Sequence, residues 1–270
     1  MSELQIPCGG CIGCRLDRSR QWAARLMHEA KYHELKSFLT LTYSDENLPE
    51  GGTLVKRDFQ LFMKRFRKEH GGKIRYFMCG EYGDGNDRPH YHAIIFGCDF
   101  PDRKKHSKGA RGDQIYTSET LDRIWGLGHT YIGNVTHESC GYVARYCMKK
   151  VTGQMAEEHY SRVNPATGEW YLLLPEYINM SLRPGIGADY YEDFKNDLYP
   201  SDYAVVKGKK LPVPKYYDRK LEKEEPQLLE QLKATRKRRA VQDKANNTRE
   251  RLAVRKEVIL SKFKMLKRTL

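Results

Sequence analysis

The residue pattern predicts an α+β fold: a largely antiparallel central sheet with helices, followed by a C-terminal accessory region that ends in a basic helix. Three observations carry this. Helix-like and strand-like segments follow one another in the order helix, strand, helix, strand, strand, helix, strand, helix. Two of the strands are adjacent and joined by a stretch rich in Gly, Asp and Asn, as a hairpin requires. Beyond Thr152 the character changes, first to a Tyr-, Pro- and Asp-rich stretch and then, after Pro226, to a basic run with no Pro or Gly.

Each element has its own signal. In residues 16–36, Leu16, Trp22, Ala23, Leu26, Met27 and Ala30 recur with helical spacing among Arg, Lys and Glu, which predicts an amphipathic helix with a basic outer face. Residues 37–43 alternate like a strand and end at an Asp-Glu-Asn turn. Residues 56–69, with Phe59, Leu61, Phe62 and Phe66, predict a second basic helix that stops before Gly71 and Gly72. Residues 73–81 and 88–97 are the paired strands. Residues 98–114 read as a polar, charge-rich loop with Arg103, Lys104, Lys105, His106, Lys108 and Arg111. A helix over 118–125 with Ser118 as N-cap and a strand over 129–136 follow. Asn164 to Gly168 suggests a hairpin turn, and Leu252, Ile259, Phe263 and Leu266 mark one face of a long basic helix in the tail.

This divides the chain into residues 1–36, a cysteine cluster and basic helix packed on the catalytic domain; 37–155, that domain; 156–225, an accessory lobe; and 226–270, a basic amphipathic tail. A length of 270 residues suffices for a sizeable core. The net charge of +13 favours a polyanionic partner, nucleic acid before a membrane surface, because Lys and Arg that neutralise phosphates release counterions. No apolar run approaches a transmembrane length, and the N-terminus lacks the basic start and apolar stretch of a signal peptide, so a cytoplasmic protein is expected.

Chemistry concentrates at the paired strands. His90 and His92 share one strand face, and antiparallel pairing across the loop sets Glu81 opposite His90 and Cys79 opposite His92. Two imidazoles facing a carboxylate form a metal-type set, with Glu81 as the third ligand and Asp84 or Asp87 as weaker candidates. The alternative is a hydrogen-bonded histidine pair at a strand entrance. A helix over 141–151 carries Val143, Ala144, Cys147, Met148 and Val151 on an apolar arc, with Tyr142, Tyr146, Arg145, Lys149 and Lys150 on the other side. Phenols on a cationic face are candidate nucleophiles, since positive charge favours the phenolate over its usual pKa of about 10.

The cysteines number seven, an odd count that argues against a secreted disulfide framework. Cys8, Cys11 and Cys14 have C-x-x-C-x-x-C spacing. They suit zinc or another soft metal in a structural site, with His28, Cys140 or Cys147 as a fourth ligand, or equally a reduced cysteine loop.

His90-Tyr91-His92 resembles the His-hydrophobic-His signature of the HUH endonucleases, and the helix from Tyr142 through Tyr146 to Lys149 resembles that of their two-tyrosine replication-initiator branch. With the opening from Pro7 to Arg15, the chain is similar to replication initiation proteins of gokushovirus-type microviruses, phages with circular single-stranded DNA, as far as the segment from Arg183 to Gly187. The resemblance implies a palm-like HUH fold with the first strand central, a divalent metal on His90, His92 and an acidic residue, and a tyrosine that attacks a DNA phosphodiester. The expected activity is rolling-circle initiation. Tyr142 or Tyr146 nicks single-stranded origin DNA with Mg²⁺ or Mn²⁺, leaving a 5′-phosphotyrosine and a free 3′-OH, and later rejoins the strand, with Lys149 as electrostatic partner. The implied setting is the cytoplasm of a bacterial host, with host polymerase and helicase as partners, since no G-x-x-x-x-G-K-[ST] loop is present. Three alternatives remain. A transposase or relaxase shares the chemistry, a non-haem Fe(II) oxygenase shares the ligand set, and a non-catalytic nucleic-acid-binding protein shares the charge.

Overall fold

A computed structural model of the chain describes residues 8–83, 85–109, 112–146, 150–151, 153–164, 166–242 and 244–264. Helix α1 (Ile12–Ala30) leads to strand β1 (Lys36–Thr42), helix α2 (Lys56–His70), the strand pair β2 (Arg75–Tyr82) and β3 (Pro89–Phe96), strands β4 (Lys104–Lys108) and β5 (Gln114–Thr117), helix α3 (Glu119–Trp125), strand β6 (Thr130–Gly133) and helix α4 (His137–Arg145). Helix α5 (Met155–Tyr160), the hairpin β7 (Ser161–Val163) and β8 (Trp170–Leu172), and strand β9 (Tyr177–Met180) follow.

Seven of these strands form one sheet, in the order β4-β5-β6-β1-β3-β2-β9, with every pair antiparallel. The first strand is central, and nearly all of its residues are buried or partly buried. Strand alternation divides its side chains between two cores. Leu39 and Leu41 join Tyr91, Ala93 and Ile95 in packing against Phe59, Phe62 and Phe66 of α2 and Leu121, Ile124 and Trp125 of α3. Phe38 joins Phe77, Ile94 and Phe96 on the other face, under Leu26 and Ala30 of α1 and Val143 of α4. The sheet is therefore covered on both sides by helices.

Local chemistry sets the ends of several elements. Ser118 accepts from the backbone N–H of Leu121 at 3.1 Å and so caps α3, which closes on a left-handed Gly126 (φ 67°). Helix α4 starts at His137 rather than at Gly141, because Thr136 and Ser139 form a reciprocal capping box (2.8 and 3.2 Å). The hairpin turn expected at 164–168 joins β7 to β8, with the N–H of Gly168 donating to the carbonyl of Asn164 at 2.8 Å.

Three elements differ from the sequence expectation. The stretch 98–114, expected as a polar loop, contains β4 and the start of β5. Every residue of β4 is exposed, and its lysines suit a sheet edge that must not pair further, so charge there masks a strand. Strand β9, within the expected accessory lobe, is the opposite edge of the main sheet, where Ile178 pairs with Cys79. The expected single tail helix is broken into α8 (Pro226–Gln242) and α9 (Arg249–Lys264) by a 3-10 turn at Lys244–Asn247. The asparagines there disfavour a helix interior, and Thr248 restarts it, accepting from the N–H of Arg251 (3.4 Å).

The chain packs as two compact units, Arg18–Ile186 and a second unit of Gly187 onward with the N-terminal residues through Asp17. The second unit contains helix α6 (Ala188–Leu198), the hairpin β10 (Ala204–Val206) and β11 (Lys209–Leu211), helix α7 (Lys215–Glu224), α8 and α9. Its core joins Tyr191, Tyr217 and Leu221 to Leu229 and Leu232 of α8. Arg236 of α8 clamps Asp202 at 2.6 Å and Asp218 at 2.7 Å. On α9, Leu252 is exposed and Ile259 only partly covered; Leu266 and the side chain of Phe263 lie outside the described residues.

Candidate active site and metal centre

The β2–β3 register sets Glu81 opposite His90 and Cys79 opposite His92. It extends across the sheet as one row of Tyr131, Thr40, His92, Cys79 and Ile178 on neighbouring strands. The hairpin end is pinned by Arg88, which donates to Asp45 (2.6 Å) and to the carbonyl of Tyr43 (2.9 Å).

Nε2 of His90 and Nε2 of His92 converge on Oε1 of Glu81, at 3.0 and 2.9 Å. Both rings are held from behind, since Nδ1 of His90 lies 3.0 Å from the Arg88 carbonyl and Nδ1 of His92 lies 3.0 Å from Oγ1 of Thr40. A carbonyl only accepts, so Nδ1 of His90 carries a proton, and neutral His90 then turns the lone pair of Nε2 toward the carboxylate. That arrangement is repulsive unless a proton or a cation lies between them. Outer partners on Nδ1 and two Nε2 atoms converging on a carboxylate are what a divalent cation requires of its ligands. Glu81 is fully buried. Burial alone would raise its pKa, but the hydrogen bonds and charge of His90 and His92 outweigh it and hold the carboxyl well below its usual range. Among the described residues, these three form one compact potential ligand group. Asp87 stands outside it, with a φ of 49° and an ion pair to Arg162 at 3.4 Å, and Asp84 lies outside the described residues.

The tyrosines of α4 and its C-terminal cap point at this group. The Tyr142 hydroxyl lies 3.5 Å from Nε2 of His92, and the ring of Tyr146 stacks on that of His92 with centroids 5.5 Å apart. Phe38 stacks on the same imidazole at 5.5 Å, and Tyr142 meets Tyr146 edge-on at 4.9 Å. Both tyrosines are only 7% exposed and belong to the core under α1 and α4, which corrects the expectation of a solvated cationic face. The consequence for their acidity is also reversed. Burial, and then the charge of Glu81, push both phenols well above their ordinary pKa, and the Arg145 guanidinium 5.6 Å from the Tyr142 ring offsets this only in part. An amphipathic projection identified the phenol side of the helix but not what that side faces. Lys149 and Cys147 lie outside the described residues.

Thr40 was not marked as a site residue by its sequence. Its signal is a polar hydroxyl at an inward position of Phe-Leu-Thr-Leu-Thr, in the otherwise apolar strand β1. At the other end of the chain, the sulfurs of Cys8, Cys11 and Cys14 form a separate group within 4.8 Å of one another. His28 and Cys140, expected as fourth ligands, are not part of that group: His28 is buried on α1 about four turns from Cys14, roughly 21 Å along the helix, and Cys140 is buried under the sheet.

A seven-stranded antiparallel sheet with histidines, a carboxylate and paired tyrosines on one face matches a known class. Residues 36–151, from β1 past the tyrosine helix, match the family model described as replication-associated protein ORF2. The chain is 34% identical to replication-associated protein VP4 of Bdellovibrio phage phiMH2K, over 84% of this chain and 70% of that one. It is 36% identical to replication-associated protein ORF2 of Spiroplasma virus 4, over 81% and 68%, and 29% identical to replication-associated protein ORF4 of Chlamydia phage 1, over 78% and 52%. The chain belongs to this family of microvirus replication-associated proteins. No solved structure matches it. No helix among the described residues is long and apolar enough to cross a membrane.

Proposed function

We propose that the protein initiates rolling-circle replication as an HUH-type endonuclease, nicking single-stranded origin DNA by tyrosine transesterification and later rejoining it. The observation that supports this most directly is the Tyr142 hydroxyl 3.5 Å from a histidine nitrogen that itself lies 2.9 Å from Glu81, in a chain of a phage replication-associated family. Glu81, His90 and His92 would hold a divalent cation, Mg²⁺ or Mn²⁺, which supplies charge to polarise the scissile phosphate.

The chain's own residues do the rest. Thr40 and the Arg88 carbonyl orient the imidazoles, and Phe38 and Tyr146 sandwich His92 so that its ring cannot swing. The buried phenol of Tyr142 is the first nucleophile. Its oxygen forms a bond to phosphorus, the bond to the 3′ oxygen breaks, and the proton lost by the phenol is balanced by the one gained at the 3′-OH. One phosphodiester replaces another, so little free energy is dissipated and the same 3′-OH can reverse the step. Tyr146, one turn away and in ring contact with Tyr142, is placed for a second cleavage after a round of synthesis. Lys149 is assigned the electrostatic role beside the phosphate. The net charge of +13 supplies sequence-independent affinity for the strand. Priming by a host polymerase and unwinding by a host helicase in the bacterial cytoplasm complete the reading.

The test is incubation with circular single-stranded DNA carrying the origin, with Mn²⁺ or with chelator, followed by denaturing electrophoresis. A metal-dependent covalent protein–DNA adduct is expected. Salt-sensitive binding with no adduct would reduce the protein to a DNA-binding partner of another nuclease.

A further inference from the structure

The cysteine cluster takes no part in the proposed chemistry, and its geometry has a reading of its own. We propose that Cys8, Cys11 and Cys14 bind one zinc ion, and that this ion fixes the start of α1.

The first support is the distance between sulfurs. All three Sγ atoms lie within 4.8 Å of one another. A tetrahedral cation with Zn–S bonds of about 2.3 Å holds its sulfurs about 3.8 Å apart, so small rotations bring the three onto one ion. Thiolates on the separate irons of a cubane cluster stand further apart. Soft sulfur ligands also select zinc over the hard cations that suit Glu81, His90 and His92.

The second support is the backbone. The N–H of Cys11 donates to Sγ of Cys8 at 3.3 Å, and the N–H of Cys14 donates to Sγ of Cys11 at 3.5 Å. Two successive Cys-x-x-Cys turns thus aim amide hydrogens at sulfurs, which disperses the negative charge of metal-bound thiolates. Gly9, at a φ of 73°, allows the first of these turns.

The third support is the helix. α1 begins at Ile12-Gly13-Cys14, a poor helix start, with no acidic residue in its first turn. Cys8 and Cys11 are exposed, so burial does not hold this end in place. A cation bridging residues on both sides of Ile12 would do so. Farther along, α1 delivers Leu26 and Ala30 to the core beneath the candidate active site, so anchoring its start bears on a functional element.

The proposal does not depend on the nuclease reading, and cobalt substitution separates the two. Reduced full-length protein, stripped of metal and titrated with Co²⁺, should give a near-ultraviolet thiolate-to-cobalt band that saturates at one equivalent and is displaced by Zn²⁺. The band should survive in a His90→Ala/His92→Ala double variant and disappear in Cys11→Ser. Titration of the parent alone is decisive even if a cysteine variant folds poorly. A missing thiolate band, a band lost with the histidines, acid-labile sulfide with iron, or two of the three thiols consumed in a disulfide would each overturn it.

Discussion

The two potential metal centres are built in opposite ways. Glu81, His90 and His92 are gathered by strand register, lie at or near the floor of a covered sheet face, and take outer contacts from Arg88 and Thr40. Cys8, Cys11 and Cys14 lie within a few residues of one another, largely exposed, and are gathered by two tight turns. The sheet site exists only once the domain has folded. The cysteine site can form locally, and its ion would then help to fold its own segment. A tertiary site with orienting partners suits catalysis, where atoms must stay fixed. A local site with sulfur ligands suits a staple.

The largest expected effect lies at the sheet site. Alanine at His90 or at His92 should abolish divalent-dependent adduct formation while leaving salt-sensitive DNA binding near the parent's, because phosphate contacts are spread over many Lys and Arg. Glu81→Ala should be equally severe, since Asp87 is held by Arg162 and cannot substitute. Electrophoresis for the adduct and filter binding for affinity separate the two effects. Strong cleavage in Glu81→Ala would mean that another carboxylate completes the set.

Next come the nucleophiles. Tyr142→Phe and Tyr146→Phe should each keep some adduct on a short oligonucleotide but fail at repeated circle release, and the double variant should form none. If one single variant loses everything and the other matches the parent, the chain has one nucleophile and a bystander. A smaller effect is expected at Thr40. Thr40→Val removes the partner of His92 Nδ1, and isothermal titration with Mn²⁺ should show affinity lower by about 10–100-fold. An unchanged affinity would leave Thr40 as packing only.

The smallest effect is on stability. The Glu81 carboxyl titrates lower in the folded chain than in the unfolded one, so in chelator its contribution is present above the ordinary carboxylate value of 4.5 and is lost as pH falls through the folded value. The melting temperature of the parent should therefore exceed that of Glu81→Gln near neutral pH, with the gap narrowing as the solution is made more acidic than 4.5. A gap independent of pH would trace the difference to packing.

The same contrast explains what was legible in the sequence. The hairpin was readable because a two-residue period on each strand and a Gly-, Asp- and Asn-rich loop leave one register that sets Glu81 opposite His90. The cysteine group was readable from spacing alone. The placement of the tyrosines was not, because helical periodicity shows that Tyr142 and Tyr146 share a side and is silent on whether that side meets solvent or a sheet. Thr40 was missed because its partner is fifty-two residues away, across a strand pairing that no local pattern records. Strands β4 and β9 were missed for a related reason: edge strands are polar or short, and their identity comes from the neighbour they pair with.

The most direct test of the central claim is to map the DNA adduct formed with Mn²⁺ to a peptide. The account predicts DNA on Tyr142 and Tyr146 in the parent, and no adduct when Glu81, His90 or His92 is replaced by Ala. An adduct on any residue other than these two tyrosines, or one whose yield is unchanged in those variants or in chelator, would contradict it.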